Sequence, residues 1–287
     1  MLGPWTTTET LARHSPYAIV ATTDPNWVLK TRAAAATPWK ELEFFKRVGE
    51  CRIRNMVHIP PGPEGQTGRQ GETEWYAMRR YSTTAQSAQG RRDWRTMAIA
   101  VLNFLEDLHR GPQLLHMDIK PENILLDEPT EEWVVADYDL FDTLWLKTPA
   151  REFDDDYFWY YMAIGGAEPD EPLLTWRTDL LMLGYALAEL TWDVDRFGKW
   201  EFYPECNARR TGRKGILGHM SAEELARVRT TELLFAEPTV RKYLDAVAEL
   251  VPWDQVEPPA ASVYEHLRGL LTAPPGSPKV SALGPQS

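Results

Sequence analysis

The run Leu114-Leu-His-Met-Asp-Ile-Lys-Pro-Glu-Asn-Ile-Leu-Leu126 constrains this chain more than any other. Apolar residues frame it at both ends, and His116, Asp118, Lys120 and Asn123 stand between them. A second acidic segment follows, Val134-Val-Ala-Asp-Tyr-Asp-Leu140, again introduced by apolar residues. Read as structure alone, the first run is a buried turn whose polar side chains satisfy backbone groups. Read as a site, it concentrates chemistry on one loop and brings a second acidic loop with it.

The rest of the chain must then be large enough to bury such a loop. Its 287 residues allow one large domain or two small ones. With 43% hydrophobic and 25% charged residues the composition is that of a globular protein. A net charge of −11 excludes a nonspecific nucleic-acid binder, which needs a basic surface, and favours a basic partner if the acid is more than a solvated face. Two cysteines, Cys51 and Cys206, are too few for a disulfide framework and suit a reducing compartment. Met1 to Glu9 lacks an apolar leader core, and the apolar stretch Leu180 to Leu190 carries Glu189 and is too short to span a bilayer. The expectation is an intracellular protein, cytoplasmic or nuclear, with no membrane partner; its oligomeric state leaves no mark in the sequence.

Along the chain, Tyr17-Ala-Ile-Val-Ala and Trp27-Val-Leu read as strands joined by a turn at Asp24-Pro25-Asn26. Thr37 and Pro38 predict a helix start, with Gly49 as its stop after Val48. Pro60 to Gly71 reads as a loop, Thr73 to Tyr81 as a strand, and Ser82 to Gly90 as a polar linker. Trp94, Met97, Ala98, Val101, Leu102, Leu105 and Leu108 recur at helical spacing. A helix apolar nearly all round covers Arg177 to Thr191 and is expected to be buried. Further helices are expected at Ser221–Glu232, Pro238–Leu250 and Ala260–Leu271, before a Pro/Gly/Ser-rich tail from Ala273 to Ser287 that reads as disordered. No repeat of 20 to 50 residues is visible, which argues against a solenoid.

The central run and the segment after it resemble the catalytic and metal-binding loops of eukaryotic-type protein kinases, whose pattern is H-R-D-x-K-x-x-N followed by D-F-G. Here the matching positions are His116, Met117, Asp118, Lys120 and Asn123, then Asp137, Tyr138 and Asp139. The resemblance implies that Asp118 accepts or orients a hydroxyl proton and that Lys120 neutralises the transferred phosphate. It assigns Asn123 and Asp137 to Mg²⁺, a cation that prefers hard oxygen ligands. A lysine two residues after the aspartate is similar to Ser/Thr kinases. It extends over about Leu11 to Leu271, with Trp27-Val-Leu-Lys30 matching the strand whose lysine holds the α/β-phosphates of ATP. The carboxylate that should hold Lys30 is Glu41, because Phe45 and Val48 follow it on a buried face; Glu43 is the competitor. Met78 stands at the position behind the adenine, Leu125 beneath it, and Asp179 where a buried carboxylate holds the backbone of the His116 loop.

This chain departs from the family pattern at several points. Ala12, His14 and Tyr17 occupy the three glycine positions of the phosphate loop, where glycine lets the backbone approach phosphate. Met117 replaces the arginine that pairs with a phosphorylated activation loop, and Asp139 replaces a glycine. The segment from Leu140 to Glu168 carries Asp154-Asp-Asp-Tyr-Phe-Trp-Tyr-Tyr161 and ends at Ala167-Glu168-Pro169 rather than A-P-E. Its usual arginine partner is replaced at Glu257-Pro258. The expected fold is therefore α+β and two-lobed. A small lobe of antiparallel sheet and one helix spans 1–81, a larger helical lobe 82–272, and a tail 273–287. The expected function is ATP- and Mg-dependent phosphoryl transfer to Ser/Thr of a protein substrate, with a basic one favoured by the acidic charge. A pseudokinase acting as a binding or regulatory module is the alternative, and a small-molecule kinase of the aminoglycoside type ranks below both.

Overall fold

A computed structural model describes residues 2–14, 16–35, 38–49, 51–60, 66–90, 92–143, 175–191, 237–252 and 254–272. Thr37, Asp154 to Tyr161, Glu168, Cys206, the expected helix at Ser221–Glu232 and the tail from Ala273 lie outside these residues. The described part is a mixed α+β arrangement with an antiparallel five-stranded sheet and five helices.

The sheet comprises β1 (Thr7–His14), β2 (Tyr17–Thr22), β3 (Trp27–Ala33), β4 (Thr67–Gln70) and β5 (Thr73–Arg79), in the order β1-β2-β3-β5-β4. The Asp24-Pro25-Asn26 turn is present, closed by Asn26 N–H donating to Asp24 Oδ1 at 2.9 Å. β3 does not end at Lys30 but continues to Ala33, so the lysine projects from the middle of the central strand, opposite Ile19 and Tyr76. Two strands depart from the sequence reading. β1 was not expected at all, and β4 lies inside the stretch read as a loop. Both are edge strands with mostly exposed, polar side chains, so neither shows the alternation that a half-buried strand would show. Gly68 of β4 sits against Trp75, where a Cβ would come within 2.5 Å of the indole, so only glycine lets the two strands close there.

Helix α1 (Lys40–Val48) also differs in detail. It starts at Lys40 with Trp39 in the capping position, instead of opening at Thr37 and Pro38. Burial decides the start: the Trp39 indole packs beneath the sheet at 2% exposure and makes no side-chain cap. Gly49, with φ 47°, ends the helix as expected.

The polar linker contains β6 (Thr83–Thr84), which pairs with β8 (Ile124–Asp127), itself paired with β9 (Glu132–Val135). β7 (Leu114–Leu115) pairs with β10 (Asp142–Thr143). Helix α2 (Trp94–Arg110) is capped by the Asp93 carboxylate, which accepts Arg95 N–H at 3.0 Å. Its apolar stripe enters one core with α3 (Trp176–Leu190), α4 (Pro238–Leu250), α5 (Ala261–Thr272) and the short strands. α3 is buried on nearly every side, and its Gly184 admits Leu244 of α4, whose Cδ2 would lie 2.2 Å from an added Cβ. Among the described residues no helix is long and apolar enough to cross a membrane.

Candidate functional site

The residues that carry the sequence argument meet where the five-stranded sheet faces the β8–β9 hairpin. Lys30 reaches from β3, its Nζ lying 2.7 Å from Glu41 Oε2 and 2.8 Å from Asp137 Oδ1, with Asp139 Oδ2 at 3.6 Å. Glu41, in the first turn of α1, is completely buried, and its other oxygen accepts Tyr76 Oη–H at 2.9 Å and Tyr138 N–H at 3.2 Å. Glu43 faces away and pairs with Arg47 on the helix surface. Burial opposes the charge on Lys30, but Glu41, Asp137 and Asp139 together hold its ammonium above the ordinary lysine range. The converse holds for Glu41. Burial raises its carboxyl, the Lys30 ammonium offsets only part of that, and repulsion from Asp139 and Asp137 adds to it, so the group is pushed up to about 7. Three carboxylates share one ammonium.

The loop after β9 is fixed by Tyr138. Its ring stacks flat on Phe44 of α1 at 4.0 Å between centroids and meets the edge of His116 at 5.6 Å. Its hydroxyl accepts Val57 N–H and donates to the Val135 carbonyl. This packing holds Asp137 in the left-handed region, at φ 66°, where an aspartate is tolerated at modest cost. The Asp137 carboxyl, which burial alone would raise, is lowered by Lys30 beside it. Its side chain remains 38% exposed, so part of the carboxylate is still accessible.

Asp118 and its neighbours form a second group on the loop between β7 and β8. Asn123 Nδ2 donates to Asp118 Oδ2 at 2.7 Å and to the Asp118 carbonyl at 3.0 Å, and Lys120 Nζ lies 2.9 Å from the same Oδ2. Burial disfavours the Lys120 charge, yet Asp118 holds its pKa above the ordinary value. Asp118 N–H donates to His116 Nδ1 at 3.2 Å, which places the imidazole proton on Nε2, 3.2 Å from the Ala136 carbonyl. Burial lowers the His116 pKa, consistent with a neutral ring in this role. The same Ala136 donates its N–H to Asn123, so the two loops are stitched together just before Asp137.

Beneath this loop lies Asp179, fully buried on α3. It accepts His116 N–H at 2.7 Å and Met117 N–H at 2.8 Å, and its Oδ2 lies 3.0 Å from His109 Nε2. His109 Nδ1 in turn lies 2.6 Å from Tyr264 Oη on α5. Burial would raise the Asp179 carboxyl, but the His109 hydrogen bond and the charges and backbone donors around it bring it below the ordinary range. This anchor holds Met117 at φ 69°, a strained conformation for a methionine.

The structure thus brings Lys30, Glu41 and Asp137 into direct contact, and Asp118, Lys120 and Asn123 into a second contact group. Met78 is half-buried on β5, on the same face as Tyr76, and Leu125 is half-buried on β8. Four residues of the site were not assigned this role from sequence: Trp39, Tyr76, Asp139 and Tyr17. Trp39 Nε1 donates to Asp139 Oδ1 at 3.1 Å from 100 positions away, a contact no local pattern announces. Glu122, on the Asp118 loop, and Glu189, beside it near the end of α3, each bury one carboxylate oxygen that has no hydrogen-bond partner among the described residues. No model of a known protein family matches this chain, and no curated protein sequence is detectably similar to it.

Proposed function

We propose that this chain is a two-lobed, protein-kinase-like phosphotransferase that moves the γ-phosphoryl group of ATP to a Ser/Thr hydroxyl of a protein substrate. One observation carries the reading: Lys30 and Asp137, 107 positions apart, meet at 2.8 Å beside the buried Glu41 and next to the Asp118–Asn123–Lys120 group. Sheet order β1-β2-β3-β5-β4, followed by a helical core, supports the same fold.

In this reading Asp118 receives the hydroxyl proton. Asn123 and Lys120 both engage its Oδ2, which leaves Oδ1 as the atom offered to the substrate. Lys120 stands ready to neutralise charge developing on the transferred group, and Lys30 the other phosphates. The donor set fits Mg²⁺: Asn123 engages Asp118 through its amide nitrogen, which leaves its amide oxygen for a cation, and Asp137 keeps one oxygen free of Lys30. When bound, the cation would neutralise phosphate oxygens and hold them in line. The net charge of −11 supports a basic protein substrate.

Phosphate transfer from Mg·ATP to a mixed Ser/Thr peptide pool tests the reading. Asp118→Ala should reduce the rate by about 10²–10⁴-fold. Mg-dependent stabilisation by ATP should vanish in Asp137→Ala, where saturation at a hundred times Kd otherwise adds about 2.7 kcal/mol. Equal rates in wild type and Asp118→Ala would overturn it. A second reading, a binding module without catalysis, is favoured by the enclosure of Lys30 on several sides, by three carboxylates and the Tyr17 ring. Mg·ATP binding with no transfer to any peptide would select it.

A further inference from the structure

Asp137, Tyr138 and Asp139 follow one another in the loop after β9, and each is held by a different group of the sheet or α1. Asp137 Oδ1 meets Lys30 Nζ of β3 at 2.8 Å, Tyr138 N–H donates to Glu41 of α1 at 3.2 Å, and Asp139 Oδ1 accepts the Trp39 indole N–H at 3.1 Å. The last bond has no part in the phosphotransferase reading. Position 139 is glycine in the family that the chain resembles, and a glycine could not make it. Trp39 is a rigid donor. Its buried ring stacks on Tyr17, 5.8 Å between centroids with 22° between planes, packs on Tyr76 at 5.4 Å and is covered by the Arg32 guanidinium at 5.4 Å. It stands directly before the first turn of α1, two positions ahead of Glu41.

The three ties differ in what they depend on. Asp137 is held by the Lys30 ammonium, which Glu41 and Asp139 share, so this tie weakens whenever Lys30 turns to another anion. The Trp39–Asp139 bond uses a neutral donor and persists without Lys30. It also holds against charge. One oxygen each of Glu41, Asp137 and Asp139 lie within 4.8 Å of one another, so repulsion pushes Asp139 away from the place that the indole gives it. Asp137 itself, at φ 66°, stays in a sparsely populated backbone region only while its neighbours hold it there.

We propose that Asp139 is a positioning residue: its bond to Trp39 pins the Asp137 loop to the start of α1 and keeps Asp137 in place when Lys30 lets go of it. The consequence for ligands rests on the phosphotransferase reading. There Lys30 turns to the phosphates as Mg·ATP enters, and the pin keeps Asp137 ready for the cation. Without the pin Asp137 is correctly placed in only part of the molecules, and the loss of a hydrogen bond to a charged group lowers the apparent affinity for Mg·ATP by about tenfold. ATP without metal needs Lys30 but not Asp137, so its binding is unchanged.

Three variants separate the bond from the charge. Trp39→Phe deletes the donor, keeps an aromatic ring and leaves every charge in place. Asp139→Asn removes the charge and keeps an oxygen that can accept the indole N–H. Asp139→Ala removes both, from a partly exposed side chain, so it tests the bond without disturbing the core. Hydrogen–deuterium exchange of the full chain reads the pin without any ligand. Trp39→Phe and Asp139→Ala should each speed exchange in residues 138–141 with α2 unchanged, and the double variant should go no further than the faster single one. Asp139→Asn should exchange like wild type. Unchanged exchange in Asp139→Ala, effects that simply add, or equal loosening by Asp139→Asn would overturn the pin. Calorimetric titration adds the second arm. Trp39→Phe should bind Mg·ATP about tenfold more weakly than wild type, and ATP in EDTA equally well. Equal binding of Mg·ATP, or equal weakening with and without the metal, overturns the positioning role. The expected exchange pattern with no ATP binding by any of the proteins leaves the pin standing and removes the nucleotide reading instead.

Discussion

Glu41 and Asp179 are both carboxylates with no exposed surface, both hold a neighbouring loop, and their chemistry is opposite. Asp179 lies deep in the helical part, among donors only: two backbone N–H groups and one imidazole. Its carboxyl sits below the ordinary range despite burial. Glu41 lies between α1 and the sheet and also accepts a hydroxyl and a backbone N–H, but its ammonium is shared with Asp137 and Asp139. Its carboxyl is pushed up to about 7. Full burial therefore does not set the behaviour of a carboxylate; the ratio of donors to competing acids does. Asp179 is a permanent anchor for the His116–Met117 backbone. Glu41 belongs to an overcharged acidic cluster whose balance changes with any cation, proton or phosphate that enters.

The sharpest way to break this comparison is to remove each acid. Asp179→Ala leaves two buried backbone donors and a histidine without their acceptor, and it releases Met117 from a strained conformation. The expected loss is about 3–5 kcal/mol, read as a lower urea midpoint with unchanged slope. Glu41→Gln keeps an acceptor for Tyr76 and Tyr138 and relieves the repulsion with Asp137 and Asp139, so it should cost about 1 kcal/mol or less. Equal losses would mean that the two sites are energetically alike.

The pH dependence should separate them in the same direction. Asp179, lowered from 3.8, contributes stability that is present above that value and is lost as pH falls through its folded pKa. Glu41, raised from 4.5 to about 7, contributes stability that is fully present below 4.5 and is lost as pH rises through 7. Urea midpoints of Asp179→Asn should accordingly flatten below pH 4, and those of Glu41→Gln between pH 5 and 8. A Glu41→Gln profile parallel to wild type across that window would overturn the second assignment. A smaller effect is expected at the contact that links the two regions. Tyr138→Phe keeps the stack on Phe44 and loses the hydroxyl that bridges Val57 and Val135, at about 1 kcal/mol by the same assay.

The two regions were unequally legible in the sequence. The Asp118 loop is contiguous, so its spacing alone gathers His116, Asp118, Lys120 and Asn123, and the apolar periodicity of α2 and α3 marks the core around Asp179. Around Glu41 the signals are dispersed. The lysine of β3 and the apolar face of α1 pointed to Lys30 and Glu41, but Thr37-Pro38 imitated a helix start that the burial of Trp39 overrides. Edge strands β1 and β4 carried no hydrophobic alternation because most of their side chains are polar and exposed, and where β4 meets Trp75 it does so with a glycine. Asp139 read as a lost glycine, since its partners Trp39 and Lys30 are brought to it only by the tertiary fold.

The mildest expectation concerns a third carboxylate, which extends the comparison to the neighbourhood of Glu122. Glu189, near the end of α3, is pushed up to about 7 by burial and by Glu122 beside it, with no cation to offset either among the described residues. It thus shares the raised pKa of Glu41 but lacks the lysine, and under the proposed phosphotransferase function a basic substrate residue brought to it would supply the missing charge. On the phosphotransferase reading, KM for a basic peptide should fall as pH rises from 6 to 8, because the ionised carboxylate is the form that attracts the cation. Glu189→Gln should raise KM by about fivefold at pH 8 and have little effect at pH 6, with kcat preserved, since an ion pair at a partly exposed site contributes about 1 kcal/mol at most. A neutral peptide should show neither effect. A Glu189→Gln change that reduced kcat equally for both peptides would place this carboxylate with Asp179, as a support of the fold, rather than with the acids that wait for a partner.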